Sequence, residues 1–465
     1  MKKVYLILLL CFIVAGSYAM SFEKYLNIVF EKSDVQRDVK LYKKSNYWEK
    51  MNNLGMIIPR MDVTLEAPSY SFTDETEYTD AYGKPYSREK YSYGGNISLS
   101  QYLPTNTEIY SNMYYNHYKN YREAGVEENN LTGQTIEVTV NQKIWGINKG
   151  YHYYKKWRNI SKINNIENKR FNLDILQKAY EKYINYLITK KSYQLNKKMY
   201  ERYKNIYEGA RNKYRMGLYD VITYNRIKKE YRFYEIDYKD SKRKMKSEKK
   251  KLEMFLNTEI NDLDFSIKNI NFGIFNDTAP RAKLKEMNLE FDNIYRDYKF
   301  SKADKQIRLY ASISGEYNHF GQEGLSEIER DNYSISLSLS VPFTNLSKVS
   351  RLNNTEVEYL IEKYKKKDEI ESIRIDFQNL KSDLKNYYDK ISLYKDILPD
   401  LKENYNVSLK RFNMGMITLE ELRSIENDYI NAELDYLRAL KNYNLTAIEL
   451  GKYIGNVEKI MEGLL

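Results

Sequence analysis

The sequence predicts an internally duplicated chain in which a long α-helical coiled-coil barrel is joined to a transmembrane β-barrel. Three observations carry this. A helix–glycine–helix segment occurs twice, the arms around each copy keep a coiled-coil period, and separate segments alternate apolar and small polar residues with period two.

The duplicated segment reads Lys213-Tyr-Arg-Met-Gly-Leu-Tyr-Asp-Val221 in the first copy and Arg411-Phe-Asn-Met-Gly-Met-Ile-Thr-Leu419 in the second. The two superpose without a gap at an offset of 198 residues, from Gly217 to Gly415. Downstream the register holds: Ile227 matches Ile425, Tyr231 matches Tyr429, and Glu235-Ile-Asp-Tyr238 matches Glu433-Leu-Asp-Tyr436. A match of this kind is a duplication. The glycine suits a chain that reverses between antiparallel helices, because the reversal needs a residue tolerant of positive φ.

The arms read as coiled coil. After Gly217 the ladder Tyr224, Ile227, Tyr231, Tyr234, Tyr238 steps alternately by three and four and reaches Leu252 and Phe255. After Gly415 the equivalent ladder is Leu422, Ile425, Tyr429, Ala432, Tyr436, continuing to Leu450 and Tyr453. Before Gly217 a tyrosine falls at every seventh position: Tyr186, Tyr193, Tyr200, Tyr207, Tyr214. A sustained period of 3.5 residues implies a left-handed supercoil. A buried helix face accounts for the apolar residues, but not for the length over which the face continues.

In chain order, Lys2 and Lys3 precede an apolar run from Val4 to Val14, and Ser17-Tyr18-Ala19 is a small-residue cleavage site. Residues 1–19 therefore read as a secretory signal, too short to span a bilayer. The single cysteine, Cys11, lies inside it, so the exported chain has no disulfide. Residues 22–57 read as helical. From Ile58 the period becomes two: Met61, Val63, Leu65 and Ala67 alternate with Asp62, Thr64 and Glu66. A polar loop with Asp74-Glu-Thr-Glu77 and Gly83-Lys-Pro85 is expected next. Ile97 and Leu99 then alternate with serines, and Ile136, Val138 and Val140 with Glu137, Thr139 and Asn141. Residues 107–118 fit a further strand but carry tyrosines on both faces. A helix of roughly 100 Å follows to Tyr214, with a return of roughly 60 Å over 218–257.

The second half repeats the order. A helix near 281–305 leads to a strand with Leu309, Ala311, Ile313 and Gly315, then a loop bearing Gly321 and Gly324. The segment Tyr333-Ser-Ile-Ser-Leu-Ser-Leu-Ser-Val341 is apolar at every odd position and serine at every even one, and Pro342 ends it. A second helix of roughly 100 Å runs from Leu346 to Phe412 and returns after Gly415 to Tyr453. The repeats are thus 20–257, with strands in 61–144, and 258–465, with strands in 307–343.

An ordinary antiparallel sheet with one wet face fits the same alternation as a membrane barrel. Three features favour the barrel: the export signal, the lack of a globular core for a sheet to cover, and a strand number too small to close a barrel without several copies of the chain.

At these residues the sequence resembles the TolC-like outer-membrane efflux proteins over essentially the whole mature chain. The motif is the pair of turns Tyr214-Arg-Met-Gly-Leu218 and Phe412-Asn-Met-Gly-Met416; Asp435-Tyr436 and Leu450-Gly451 also look like the family's C-terminal pattern. The resemblance implies a homotrimer in the outer membrane, with about four strands per chain in a twelve-stranded barrel and the helices in the periplasm. It implies a periplasmic tip at Met216, Gly217, Leu218, Met414, Gly415 and Met416, where a periplasmic adaptor (membrane fusion protein) docks. It also implies an inner-membrane pump or ABC exporter as energy source. The family's gate carboxylates map to Leu419-Glu-Glu-Leu-Arg423, which makes Glu420, Glu421 and Arg423 the gate candidates. Glu421 falls at one gate position and Ser424, not an acid, at the other; an intersubunit Glu421–Arg423 pair is the alternative. The family's proline at the junction of barrel and helix appears as Pro342, with no counterpart near Lys143. The first half also holds more strand-like sequence than two strands need.

The expected function is passive conduction, as the exit duct of a tripartite efflux system. Within the same class, a duct for type I protein secretion is the alternative; in another class, a trimeric coiled-coil surface scaffold or adhesin. Enzymatic function is not expected. There is no phosphate loop, His117, His152 and His319 are scattered, and no zinc or triad pattern occurs, so neither metal nor cofactor is expected. The net charge of +11 comes from Lys and Arg interleaved with Glu and Asp along helices, which reads as a solvated coiled-coil face rather than a nucleic-acid track.

Overall fold

The computed structural model describes residues 20–32, 34–55, 57–79, 85–122, 129–260, 263, 268–276, 278–303, 306–322, 327–341 and 346–464. The expected signal peptide (1–19) and Pro342 lie outside them. The chain divides into two compact units that cut across the two sequence repeats. The helical unit holds residues up to 43, 166–285 and 370–465; the sheet unit holds 44–165 and 286–369.

The helical unit is built on four helices paired by the duplication. Helices α3 (Lys149–Arg215) and α6 (Leu346–Asn413) are continuous over 67 and 68 residues, and most of each lies in this unit. Their return partners α4 (Val221–Leu256) and α7 (Leu419–Ile454) are each 36 residues long. The expected return helix over 218–257 therefore starts three residues later, because Asp220 caps it with its side chain. Helix α1 (Phe22–Lys32) completes the core of this unit. Its Tyr25, Leu26 and Val29 share one buried cluster with Leu173, Leu176, Tyr180, Tyr183 and Leu187 of α3 and with Leu440, Tyr443, Ala447 and Ile448 of α7. The terminal helix α8 (Val457–Leu464) adds Ile460 and Leu464.

Polar groups inside this cluster are paired, as burial requires. Asn444 donates to the Tyr180 hydroxyl at 2.8 Å and to the Lys268 carbonyl at 3.0 Å, and it accepts from the Ile270 amide at 3.2 Å. Tyr443 donates to the Ile270 carbonyl at 2.6 Å. One asparagine and one tyrosine on α7 thus fasten residues 268–270 of the connection that follows α4, just before the 3₁₀ turn Phe272–Phe275.

The sheet unit contains one antiparallel sheet whose six strands lie in chain order: β1 (Arg60–Thr79), β2 (Pro85–Tyr102), β3 (Thr107–Arg122), β4 (Asn129–Trp145), β5 (Arg308–Gln322) and β6 (Ile328–Ser340). Most of α2 (Asp34–Leu54) and all of α5 (Arg281–Ala303) but its first residues belong here too.

Six strands replace the expected four. The segment 60–102 folds as a hairpin of its own, because Met61, Val63 and Leu65 find Leu99, Ile97 and Gly95 as register partners. The tyrosine-rich stretch after Thr107 is a strand in the middle of the sheet, paired on both sides. Asp74-Glu-Thr-Glu77, expected in a loop, lies in the far part of β1, and Gly321 lies in β5. Gly83 and Gly324 fall outside the described residues.

Candidate docking turns and channel wall

The two glycine turns are built alike. Gly217 and Gly415 have φ of +74° and +75°, the left-handed region in which a side chain is strained. At each turn the amide of the following residue bonds the carbonyl five residues back: Leu218 to Lys213 and Met416 to Arg411, both at 2.8 Å. This closes the helix C-terminus and frees the chain to reverse. A Cβ added at either glycine would meet nothing within 4 Å, so the requirement for glycine there is purely conformational. The next helix then starts on a side-chain cap, Asp220 to the Thr223 amide at 2.6 Å and Thr418 to the Glu421 amide at 3.2 Å.

The turns leave apolar side chains in solvent. Met216, Leu218, Met414 and Met416 are all about two-thirds exposed, and Val221 and Ile222 extend the first patch. A groove of about 450 Å³ runs between the two turns, lined among others by Ile206, Ala210, Ile227, Phe412, Ile417 and Leu419. The six predicted tip residues are thus brought together on two adjoining turns of the helical unit. Exposed methionine and leucine beside a groove form a surface suited to another helix.

The predicted gate residues separate into different tasks. Within the chain Glu421 closes a capping box at the start of α7, its carboxylate accepting from the Thr418 amide at 2.9 Å. Arg423 reaches across to α4 and pairs with Glu230 at 2.9 Å. Glu420 faces Arg226 at 3.6 Å, both exposed. Deeper along α7, Glu426 is fully buried and pairs with Arg202 of α3, and Glu433 pairs with Lys191 at 2.5 Å. Helix α7 is therefore tied to both arms of the first hairpin by charge pairs, of which Glu230 and Arg226 are partners that sequence reasoning missed.

Between α3 and α4 the tyrosines interdigitate. Ring pairs run Tyr193–Tyr238, Tyr238–Tyr200, Tyr200–Tyr231, Tyr231–Tyr207, Tyr207–Tyr224 and Tyr224–Tyr214, all stacked with centroids 4.8 to 6.0 Å apart. Hydrogen bonding to Tyr200 and partial desolvation push the Tyr231 phenol up to about 12.

The sheet has an apolar face and a polar face across all six strands. One cross-strand row reads Val63, Ile97, Met113, Ile136, Tyr317 and ends on Asp331, and another begins on Gln101 and reads Ile109, Val140, Ile313, Ile335. On the opposite face runs the row Asp62, Ser98, Asn112, Glu137, Glu316, Asn332. On the edge strands β1 and β6 both faces are exposed, with Leu65 and Ile335 each at 84%; on the central strands the apolar face is the more open one, Met113 being 42% exposed and Asn318 on the polar face 7%. Asn318 accepts from the Thr135 hydroxyl at 2.8 Å and donates to Glu316 at 2.9 Å. This inverts the arrangement of a water-soluble protein and matches a wall with lipid outside and water inside.

The passage from strand to helix on the β4 side, where no proline was found, uses other means. Lys143 is buried beside a bulge, donates to the Ile147 carbonyl at 3.2 Å and lies over the Tyr310 ring at 5.1 Å. Gly146 has φ of +124°. Gly150 opens α3 so close to the Leu103 carbonyl that a Cβ would sit 2.1 Å from its oxygen. His152 lies 3.4 Å from Asp297, which Lys156 also holds at 2.7 Å. Among the described residues no group of three or more His, Cys, Asp or Glu is placed to hold a metal ion.

Helix hairpins of this length joined in one chain to a six-stranded antiparallel sheet with one apolar and one polar face define the fold class. No family sequence profile matches the chain, and no curated protein matches it in sequence. Solved structures do match. The CmeC outer membrane channel of Campylobacter jejuni aligns over 93% of this chain and 85% of its own, with TM-score 0.61 and 11% identity. The outer membrane protein VceC of Vibrio cholerae aligns over 93% and 95%, with TM-score 0.59 and 11% identity. The MtrE outer membrane channel of Neisseria gonorrhoeae, solved in its open state, aligns over 93% and 88%, with TM-score 0.60 and 12% identity. The chain has the TolC-like outer-membrane channel fold. Among the described residues no helix is long and apolar enough to cross a membrane.

Proposed function

We propose that this chain is the outer-membrane exit duct of a tripartite efflux system. Copies of it close the sheet into a barrel in the outer membrane, the helical unit lies in the periplasm, and substrate passes by diffusion. The observation that carries this reading is the sheet with one apolar and one polar face, whose apolar side chains are exposed and whose polar face is the more covered and hydrogen-bonded on the central strands. The apolar, glycine-turned ends of the two hairpins are the docking surface for the helical hairpin of a periplasmic adaptor, with Met216, Leu218, Met414 and Met416 as contacts. The charge pairs Arg423–Glu230 and Arg226–Glu420 join the two return helices within a few turns of that surface and hold the entrance narrow. Energy and cargo choice then belong to an inner-membrane pump or ABC exporter.

The test is single-channel conductance of the detergent-purified protein in planar bilayers, together with its mass in detergent. The expected result is a homotrimer with a small, mostly closed conductance. A detergent-independent stalk without conductance overturns the reading in favour of a surface scaffold.

A further inference from the structure

The two outer strands of the sheet are each other's complement. Six strands that alternate in direction leave edges running opposite ways, so β6 of one copy laid beside β1 of the next continues the antiparallel ladder without reversal. The side-chain alternation also continues. β1 presents Met61, Val63 and Leu65 on the apolar face, and β6 presents Ile335, Leu337 and Leu339 on that same face. Arg60, the first residue of β1, follows α2, and Ser340, the last of β6, precedes α6. Pairing the strands from these ends sets Val63 beside Leu337.

Among the described residues the free edges of the sheet are β1 and β6. In a four-strand wall, β6 of the neighbour would join β3. Here β2 already fills that edge, pairing with β3 from Tyr102↔Glu108 to Arg88↔Arg122. Apolar edge side chains on both β1 and β6 suit lipid, but the unpaired amides and carbonyls of an open edge do not. Pro68, which has no amide to donate, sits in the break of the ladder between Glu66 and Ser69, so residues 60–66 remain free to pair on both sides.

We propose that β1 of one copy pairs with β6 of the next, so that the β1–β2 hairpin is part of the barrel wall. Six strands from each of three copies then make an eighteen-stranded barrel. Because barrel diameter grows about linearly with strand number, the mouth is roughly half as wide again as one of twelve strands. The proposal rests on the channel reading above and adds to it a wide outer opening, matched to bulkier cargo than a twelve-stranded mouth passes.

Cysteine cross-linking tests it, since Cys11 is the chain's only cysteine and Cys11→Ser removes the background. Double variants would combine Met61→Cys, Val63→Cys or Leu65→Cys with Ile335→Cys, Leu337→Cys or Leu339→Cys. Ile313→Cys with Ile335→Cys, neighbours within one chain, serves as the oxidation control. The expected result is disulfide-linked dimers and trimers on a non-reducing gel from at least one β1–β6 pair, lost on reduction. Trimers by mass that never cross-link through β1, or that cross-link Leu337→Cys to Met113→Cys on β3, overturn the proposal and leave the channel reading intact. A chain that forms no trimer in detergent before oxidation overturns the channel reading and this proposal with it.

Discussion

Gly217 and Gly415 isolate a single physical effect, because no neighbouring atom would touch an added side chain. A valine at either site must hold a left-handed conformation, at a cost of about 1–2 kcal/mol. Each of Gly217→Val and Gly415→Val is therefore expected to lower the thermal midpoint of the helical unit by a few degrees, read by circular dichroism, while trimer mass is unchanged. Binding of the proposed adaptor hairpin, measured by titration calorimetry, is expected to fall at least tenfold, because the turn that presents Met216 and Leu218, or Met414 and Met416, is reshaped. Unchanged binding in both variants would remove the turns from the docking surface. These residues were legible in the sequence, since a conformational need for glycine leaves its mark in the chain itself. The task of Glu421 was not. Thr418 and Glu421 have the spacing of a capping box, and the structure uses them as one, but a carboxylate at that spacing reads equally as a gate acid until its partner is seen.

At the scale of elements, the tyrosine stack between α3 and α4 makes the first hairpin distinct from the second. The heptad spacing of Tyr193, Tyr200, Tyr207 and Tyr214 and of Tyr224, Tyr231 and Tyr238 already implies that both sets face one seam. Distance from Gly217 then fixes which rings meet, so Tyr214 and Tyr224 pair nearest the turn. The strands were less legible, and for a physical reason. The alternation of β1 runs through Ala67 and stops at Pro68, where the ladder has a bulge, and the acids Asp74, Glu75 and Glu77 look like a loop although β1 extends through them. The period-two signal is carried by a few residues per strand and is lost where a strand carries charge. The stack also predicts a pH response. The Tyr231 phenol, raised to about 12 by its hydrogen bond with Tyr200 and by desolvation, stays protonated in the fold at a pH where the unfolded side chain ionises. Its contribution is fully present below pH 10 and is lost as pH rises toward about 12. Thermal melts are expected to show this loss across that window in the natural chain and a shallower one in Tyr231→Phe. Identical slopes would show that the Tyr231 hydroxyl contributes nothing to the seam.

For the whole molecule, the polar face of the sheet sets what a barrel built from it favours. The row Asp62, Ser98, Asn112, Glu137, Glu316, Asn332 carries three carboxylates and no base, and Glu137 and Glu316 are direct register partners. Basic residues of that face sit in other rows, among them Arg60 against Asp62 at 3.0 Å, Lys143 buried at the strand end, Arg308 opposite Ser340 and Arg330 opposite Asn318. Closing the sheet through several copies repeats the acidic row around the lumen, and carboxylate rings in a water-filled pore attract cations. The open channel is therefore expected to prefer potassium over chloride, with a reversal potential displaced toward the potassium equilibrium value in a salt gradient. Glu137→Gln with Glu316→Gln is expected to move that potential toward zero while the mass in detergent is kept, since both side chains lie on the polar face of the sheet and neither belongs to its apolar face. The shift should shrink at high salt, where screening shortens the reach of the remaining carboxylates to about 3 Å at 1 M. A double variant with the selectivity of the natural chain would place the selective constriction in the helical unit, where Glu230 and Glu420 stand against Arg423 and Arg226.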